Sequence, residues 1–366
     1  MLAADRLVDG IGHDGPGWLR ISEGVIAEAG SGRGRGPVDL LLETITPGFV
    51  DTHVHGALGI DFSTLGADPT AAIDFHARAG STSLVASVAT GNWTNTLDRL
   101  RELAPVVAQG SLAGLHLEGP FLSHARRGAH DPSLLRVPDS SAISAALDAA
   151  GGTLVMVTIA PEIPGALDAI SQLVAADVTV AIGRSDASAE TVHRAVDAGA
   201  RVVTHLFNGM PPLHHRSPGP VGVALADDSL MVELIGDGHH VSDLVIDLVR
   251  KAASGRFSIV SDAVAATGVG DGRYDLAGSN VVVTDNLAML ADGSSLAGST
   301  TPVAGAVRKL LDRGASFTEV VGATSSTPAR SLGLRNPALV VGARADLIAF
   351  TGFRVTRVMK AGSWLG

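Results

Sequence analysis

The 366 residues include no cysteine, which excludes disulfide staples, cysteine-held zinc and thiol nucleophiles. Basic side chains are scarce too: 27 Lys and Arg stand against 37 Asp and Glu, leaving a formal charge of -10. Neutralising a nucleic-acid backbone needs clustered Lys and Arg, so no nucleic-acid partner is expected, although one local Arg suffices for a small anionic ligand. No stretch reaches the roughly 18 uninterrupted apolar residues of a membrane span, and the opening "MLAADRLVDGIGHDGPGW" lacks a basic region followed by an apolar one. Neither a membrane anchor nor a signal peptide is therefore expected, and the cytoplasm is the expected location. Aromatic residues make up only 4%, while 46% of the chain is hydrophobic and 44 residues are glycine, a composition that suits a globular α/β enzyme better than a disordered or fibrous chain.

Division by average domain size suggests two domains, yet α/β barrels often run past that average. The first forty or so residues read as short strands broken by Gly and Pro turns, including the flexible "GSGRGRGP" from Gly30 to Pro37. Near the other end, "ALVVGARADLIAF" and "RVTRVMKAG" are two further strand-like runs, so the termini are expected to pair. Between them, apolar runs of strand length alternate with Ala-rich helical segments, the pattern of repeated βα units. Eight runs are visible: Ile45 to His55, Thr82 to Ala89, Leu112 to Glu118, Thr153 to Ala160, Val178 to Gly183, Arg201 to Phe207, Met231 to Gly236 and Phe257 to Asp262. The expected fold is thus an α/β, TIM-like (β/α)8 barrel over residues 45–334. A small β-sandwich domain is expected from residues 1–44 and 335–366. Almost every run ends in a polar or charged residue, and the C-terminal strand ends of such a barrel form its active face.

The first run ends "TPGFVDTHVHG". Side chains alternate along a strand, so His53 and His55 point the same way and can grip one metal ion; the competing reading is a pair of histidines satisfied by other partners. The third run, "GLHLEGPFL", brings Glu118 to the rim, with His116 on the same face. A carboxylate at that depth is either ligating or paired with an Arg, because an isolated buried charge is very costly. His116 reads as a core histidine or a spare ligand. The sixth run, "VVTHLFNGM", places His205 at the rim and Asn208 and Gly209 just beyond it, suited to a metal ligand and to polar ligand contacts. Asp262, ending the eighth run, is a candidate general base or a helix cap.

Together these segments resemble the N-acetylglucosamine-6-phosphate deacetylase family of the amidohydrolase superfamily. Besides "PGFVDTHVHG", "LEGPFL", "THLFNGM" and "SDA", the resemblance includes "RGAHDP" from Arg127, "DGHHV" from Asp237, "LAGS" from Leu296 and "ATSSTPARSLGL" from Ala323. The resemblance implies a divalent metal, zinc first with iron, manganese or cobalt as alternatives, as one or two ions. It implies cleavage of the acetamide of a phosphorylated amino sugar. Glu118 and His205 would be metal ligands, with His53 and His55 holding a second ion in binuclear members. Asp262 would be the acid/base, and His240 would contact the acetamide and sugar. Ala129, His130, Asn208 and Gly209 would line the sugar pocket, and Arg216 would bind the phosphate, a role suited to a planar guanidinium. Family members are commonly homodimers, which is the expectation here.

One position departs from the family pattern. Where "GHS" followed by Asp or Asn and Ala is expected, with His as a metal ligand, this chain reads "IGRSDA". A guanidinium offers donors only and stays protonated, so Arg184 cannot ligate a metal. Three readings follow. Arg184 pairs with Glu118 and leaves an inactive phosphosugar binder; or metal persists at His53, His55 and Glu118 with Asp262 nearby; or the chain is a variant of an active parent. The intact neighbouring motifs favour retained family function. A dihydroorotase or hydantoinase is a poorer match, because the fourth run, "TLVMVTIAPE", lacks the bridging Lys typical of those enzymes.

Overall fold

The computed structural model describes residues 1–34, 36–276 and 279–366; Arg35, inside the glycine-rich stretch noted above, lies outside the described residues. Among the described residues the largest sheet is an eight-stranded, wholly parallel one. Its strands, numbered here in chain order, are β1 (Val50–Val54), β2 (Ser83–Ala89), β3 (Gly114–Glu118), β4 (Leu154–Ile159), β5 (Thr179–Ile182), β6 (Val202–Val203), β7 (Met231–Ile235) and β8 (Phe257–Val260). Each run read from the sequence contains one of them. The ends meet where Val54 bridges Ala263, with the His55 amide donating to the Ala263 carbonyl at 2.8 Å, so the sheet closes as a TIM-type barrel.

Helices return the chain between strands, and several start at side-chain caps that satisfy otherwise orphaned amides. Asn92 accepts from Thr94 and Asn95, Asp139 from Ala142, and Ser188 from Thr191. At one end of the barrel, Val85, Met156, Ala181, Val202 and Met231 pack with Leu332 into an apolar plug. Above it the interior turns polar. Ser87 meets His116 Nδ1 at 2.9 Å, Thr158 meets His116 Nε2 at 2.8 Å, and Thr204 meets Thr158 at 2.8 Å. Both His116 nitrogens thus face hydroxyls, which makes it a core histidine rather than a ligand.

The N- and C-terminal segments do form a small extra domain, as one mixed seven-stranded sheet. The two ends join where Leu347–Thr351 pairs antiparallel with Leu40–Pro47, which itself runs parallel to Leu2–Val8. The first run is therefore divided. Its start, through Pro47, belongs to the terminal sheet, and only Val50 onward enters the barrel. The division falls at Gly48, where an added Cβ would stand 2.0 Å from Thr82 Oγ1, so only glycine permits the crossing. A three-stranded antiparallel sheet, Gly272–Leu276, Ser279–Thr284 and Leu287–Leu290, follows β8 and was not anticipated. Val281, Val283 and Ala288 of this sheet pack on Val264, Ala266 and Ala297, which brings residues 294–298 to the barrel mouth.

Candidate metal centre and active site

The strand ends do gather the expected side chains. On β1, Asp51 and His53 share the inward face, and His55 follows just past its end; all three are buried. Glu118 closes β3, while Arg184, His205 and Asp262 lie just beyond β5, β6 and β8. These last three have positive φ (46°, 30° and 46°), a conformation costly for residues with a Cβ and concentrated at functional sites.

The Nε2 atoms of His53 and His55 are 3.2 Å apart. Glu118 Oε2 stands 3.3 Å from His55 Nε2 and 3.8 Å from His53 Nε2. Asp262 Oδ1 lies 3.3 and 3.5 Å from the same two nitrogens. Four donors on a tetrahedral zinc, at bonds of about 2.0–2.1 Å, would be separated by about 3.3 Å. His53, His55 and Glu118 therefore fit a divalent cation in both chemistry and spacing, their donor atoms lying within 4.8 Å of one another, and Asp262 stands beside the two imidazoles.

Glu118 has a second side. Its Oε1 accepts from Arg184 Nε at 2.7 Å and lies 3.2 Å from His205 Nε2, while its Oε2 also lies 3.3 Å from His130 Nε2. Arg184 Nη1 donates onward to the Arg127 carbonyl at 3.2 Å. The sequence reading in which Arg184 pairs with Glu118 is thus realised on Oε1, while Oε2 remains with His53 and His55.

Electrostatics follow this division. Burial would raise the Glu118 carboxyl, but Arg184 and His130 hold it well below the usual carboxylate range. Burial likewise opposes ionised Asp262, and the neighbouring His55 and His53 outweigh it, so its pKa is lowered. Burial disfavours charge on His55, yet Asp262 and Glu118 more than offset it and bring its pKa to about 9. His53 is raised well above its ordinary value in the same way, against burial, by Glu118 and Glu233. His130 goes the other way, to about 4, through burial reinforced by Arg184, and His205 is lowered chiefly by burial.

Around this cluster lie partners the sequence reading missed. Glu233, fully buried within β7, accepts from Thr52 Oγ1 at 2.7 Å and faces His53 Nδ1 at 3.4 Å. Its signal was a carboxylate inside the apolar run "MVELI". Asp51 Oδ1 accepts from the Ser261 amide at 3.1 Å, and burial pushes its carboxyl up to about 6. Asp237 Oδ2 meets His240 Nδ1 at 2.7 Å, fixing the orientation of a ring that lines the larger cavity over the cluster.

Two cavities open over the cluster. The smaller is lined by His55, Ala89, Thr90, Ala129, His130 and Val264 among others, the larger by Arg126, Arg127, Asn208, Gly209, His240 and Ser294 among others. The larger encloses about 1040 Å³ open to solvent. Arg184, Asp262, Leu296 and Gly298 line both. Of the expected sugar-pocket residues, Ala129, His130, Asn208, Gly209 and His240 are therefore brought together. Arg216 is not: it is exposed, its guanidinium meets His215 Nε2 at 2.7 Å, and it lines neither cavity.

Comparison with known proteins bears on this arrangement. Residues 44–365 match the Amidohydrolase family. An N-acetylgalactosamine-6-phosphate deacetylase of Escherichia coli O157:H7 is 34% identical over 99% of this chain and 98% of its own length. An N-acetylglucosamine-6-phosphate deacetylase of Vibrio furnissii is 34% identical over 86% of this chain and 79% of its own. Among solved structures, a mutant N-acetyl-D-glucosamine-6-phosphate deacetylase of Mycobacterium smegmatis, in complex with N-acetyl-D-glucosamine-6-phosphate, superposes with a TM-score of 0.97 at 41% identity, covering 99% and 98% of the two chains. The N-acetylglucosamine-6-phosphate deacetylase of Thermotoga maritima gives 0.90 at 31% identity, covering 98% and 97%. Barrel, donor cluster and family match define a hydrolase of the amidohydrolase class, which acts on amides. Within that class the chain belongs to the N-acetylglucosamine-6-phosphate deacetylase family.

Proposed function

We propose that this chain hydrolyses the acetamide of N-acetylglucosamine 6-phosphate to glucosamine 6-phosphate and acetate, using a divalent metal, zinc by preference, at a rate lowered by Arg184. The observation that carries the reading is the trio of His53, His55 and Glu118 donors at 3.2 to 3.8 Å separations, with Asp262 beside both imidazoles, beneath a polar cavity. His53, His55 and Glu118, with Asp262 beside them, would hold a divalent cation, which would supply Lewis acidity toward the water and the amide carbonyl. His205 would join only an ion that displaced Arg184.

Asp262, ionised by its neighbours, takes a proton from the attacking water; water oxygen bonds to the carbonyl carbon, the carbon–nitrogen bond breaks, and the proton passes to the departing amine. His240, oriented by Asp237, meets the acetamide and sugar, while Ala129, His130, Asn208 and Gly209 shape the pocket. The phosphate is assigned to a guanidinium: Arg216 by family resemblance, or Arg127, which lines the larger cavity. The functional unit is the barrel, entered at Val50, together with the small domain of the terminal segments, acting as a cytoplasmic homodimer.

A second reading has its own observation. The Arg184–Glu118 pair favours a protein that binds phosphosugar without turning it over. Acetate release from N-acetylglucosamine 6-phosphate, compared with N-acetylgalactosamine 6-phosphate and unphosphorylated N-acetylglucosamine, decides between them. Turnover greatest with the first supports the reaction. Binding with no acetate from any of the three, whichever of zinc, iron, manganese or cobalt is supplied, would leave only the binder.

A further inference from the structure

We infer that Arg184 stands where a second cation would otherwise sit, so that this chain works with one metal ion and one fixed guanidinium on opposite sides of Glu118. The inference rests on the proposed metal reading of the His53 side.

Three features carry it. Glu118 is divided between two environments: Oε2 completes the cation-sized group with His53 and His55, beside Asp262, while Oε1 meets Arg184 Nε and His205 Nε2. A second ion bridging through Oε1 would have to share that oxygen with a permanent positive charge. Next, Arg184 is built into its place rather than draped over it. Its side chain is only 14% exposed, its carbonyl accepts from the Ser123 amide at 3.1 Å, and Nη1 reaches the Arg127 carbonyl. The surrounding backbone makes room for it: a Cβ at Gly128 would stand 2.2 Å from Nη1, and one at Gly209 would stand 3.2 Å from Cγ. Finally, Arg184 lines both cavities, so a ligand reaching from the larger into the smaller passes the guanidinium. That group offers hydrogen-bond donors to a carbonyl or carboxylate oxygen, and it neither coordinates an ion nor gives up its proton.

Elemental analysis of the chain and of Arg184→His, each saturated with zinc and separated from excess, tests this. One equivalent is expected in the unaltered chain and two in the variant, because an added imidazole joins His205 and Glu118 Oε1. Two equivalents in the unaltered chain, none in it, or no gain in a folded variant would overturn the inference. A measurement that needs no variant is anomalous scattering from zinc-loaded crystals of the unaltered chain. A single peak among His53, His55, Glu118 and Asp262, with Arg184 still on Glu118, is expected; a peak beside His205 overturns it. A chain that holds one ion yet releases no acetate would refute the proposed reaction and leave this inference standing.

Discussion

Replacing Glu233 by Gln isolates what the buried carboxylate behind His53 contributes to metal binding. Glu233 lines neither cavity over the cluster; it accepts from Thr52 at 2.7 Å and faces His53 Nδ1 at 3.4 Å, fixing the ring that presents Nε2 to the metal position. Partners of this kind orient a ligating imidazole and raise its basicity, and their loss typically costs 10–100-fold in metal affinity. The contact to Nδ1 is long, and a glutamine still offers its carbonyl oxygen to one neighbour, so the lower end applies: about tenfold, or about 1.4 kcal/mol. Glutamine is nearly isosteric, so the barrel should remain intact. Zinc affinity measured by competition with a chelating dye, alongside circular dichroism of the metal-free proteins, reads the effect directly. An affinity within about twofold of the unaltered chain would refute the claim that Glu233 positions His53.

Three further outcomes follow from the same geometry. With His55 at about 9 and His53 also raised in the metal-free chain, metal uptake should release protons and weaken as pH falls. Titration calorimetry in buffers of different ionisation heat checks this, and uptake without proton release would contradict it. Asp262→Asn keeps a donor oxygen but cannot carry the proton, so turnover should fall by about 10²–10⁴-fold while phosphosugar binding persists; a loss under about tenfold would remove Asp262 from proton transfer. Arg216→Ala and Arg127→Ala should each be measured on phosphorylated and unphosphorylated sugar: the phosphate-binding guanidinium is the one whose loss weakens only the phosphorylated ligand. Equal weakening of both sugars by both variants would refute either assignment.

Much of this architecture was legible because it is written in local patterns. Alternating apolar runs located all eight barrel strands, and strand alternation put His53 and His55 on one face. What stayed hidden depends on partners distant in sequence. Glu233 stood out as a charge in an apolar run, but its meeting with His53, 180 positions away, exists only once β1 and β7 share a barrel interior. Likewise Asp51 shares the face of His53 and His55, a signal that alternation alone could have raised, yet its Ser261 partner lies across the closing seam between β1 and β8. The break at Gly48 was missed although Pro47-Gly48 is a turn signal in the sequence; the approach of Thr82 that requires glycine there shows only in the fold. Arg184 was visible as a departure from the family pattern. Its division of Glu118 into a metal-facing and an arginine-facing oxygen required coordinates.

The central claim is that these donors hold a cation that makes the chain a deacetylase. Acetate release from N-acetylglucosamine 6-phosphate, followed as metal-free protein is titrated with zinc, tests it most directly. Activity should be absent without metal, rise linearly and level off at one equivalent; a chain that stays silent at every ratio, or that works equally well stripped of metal, would contradict it.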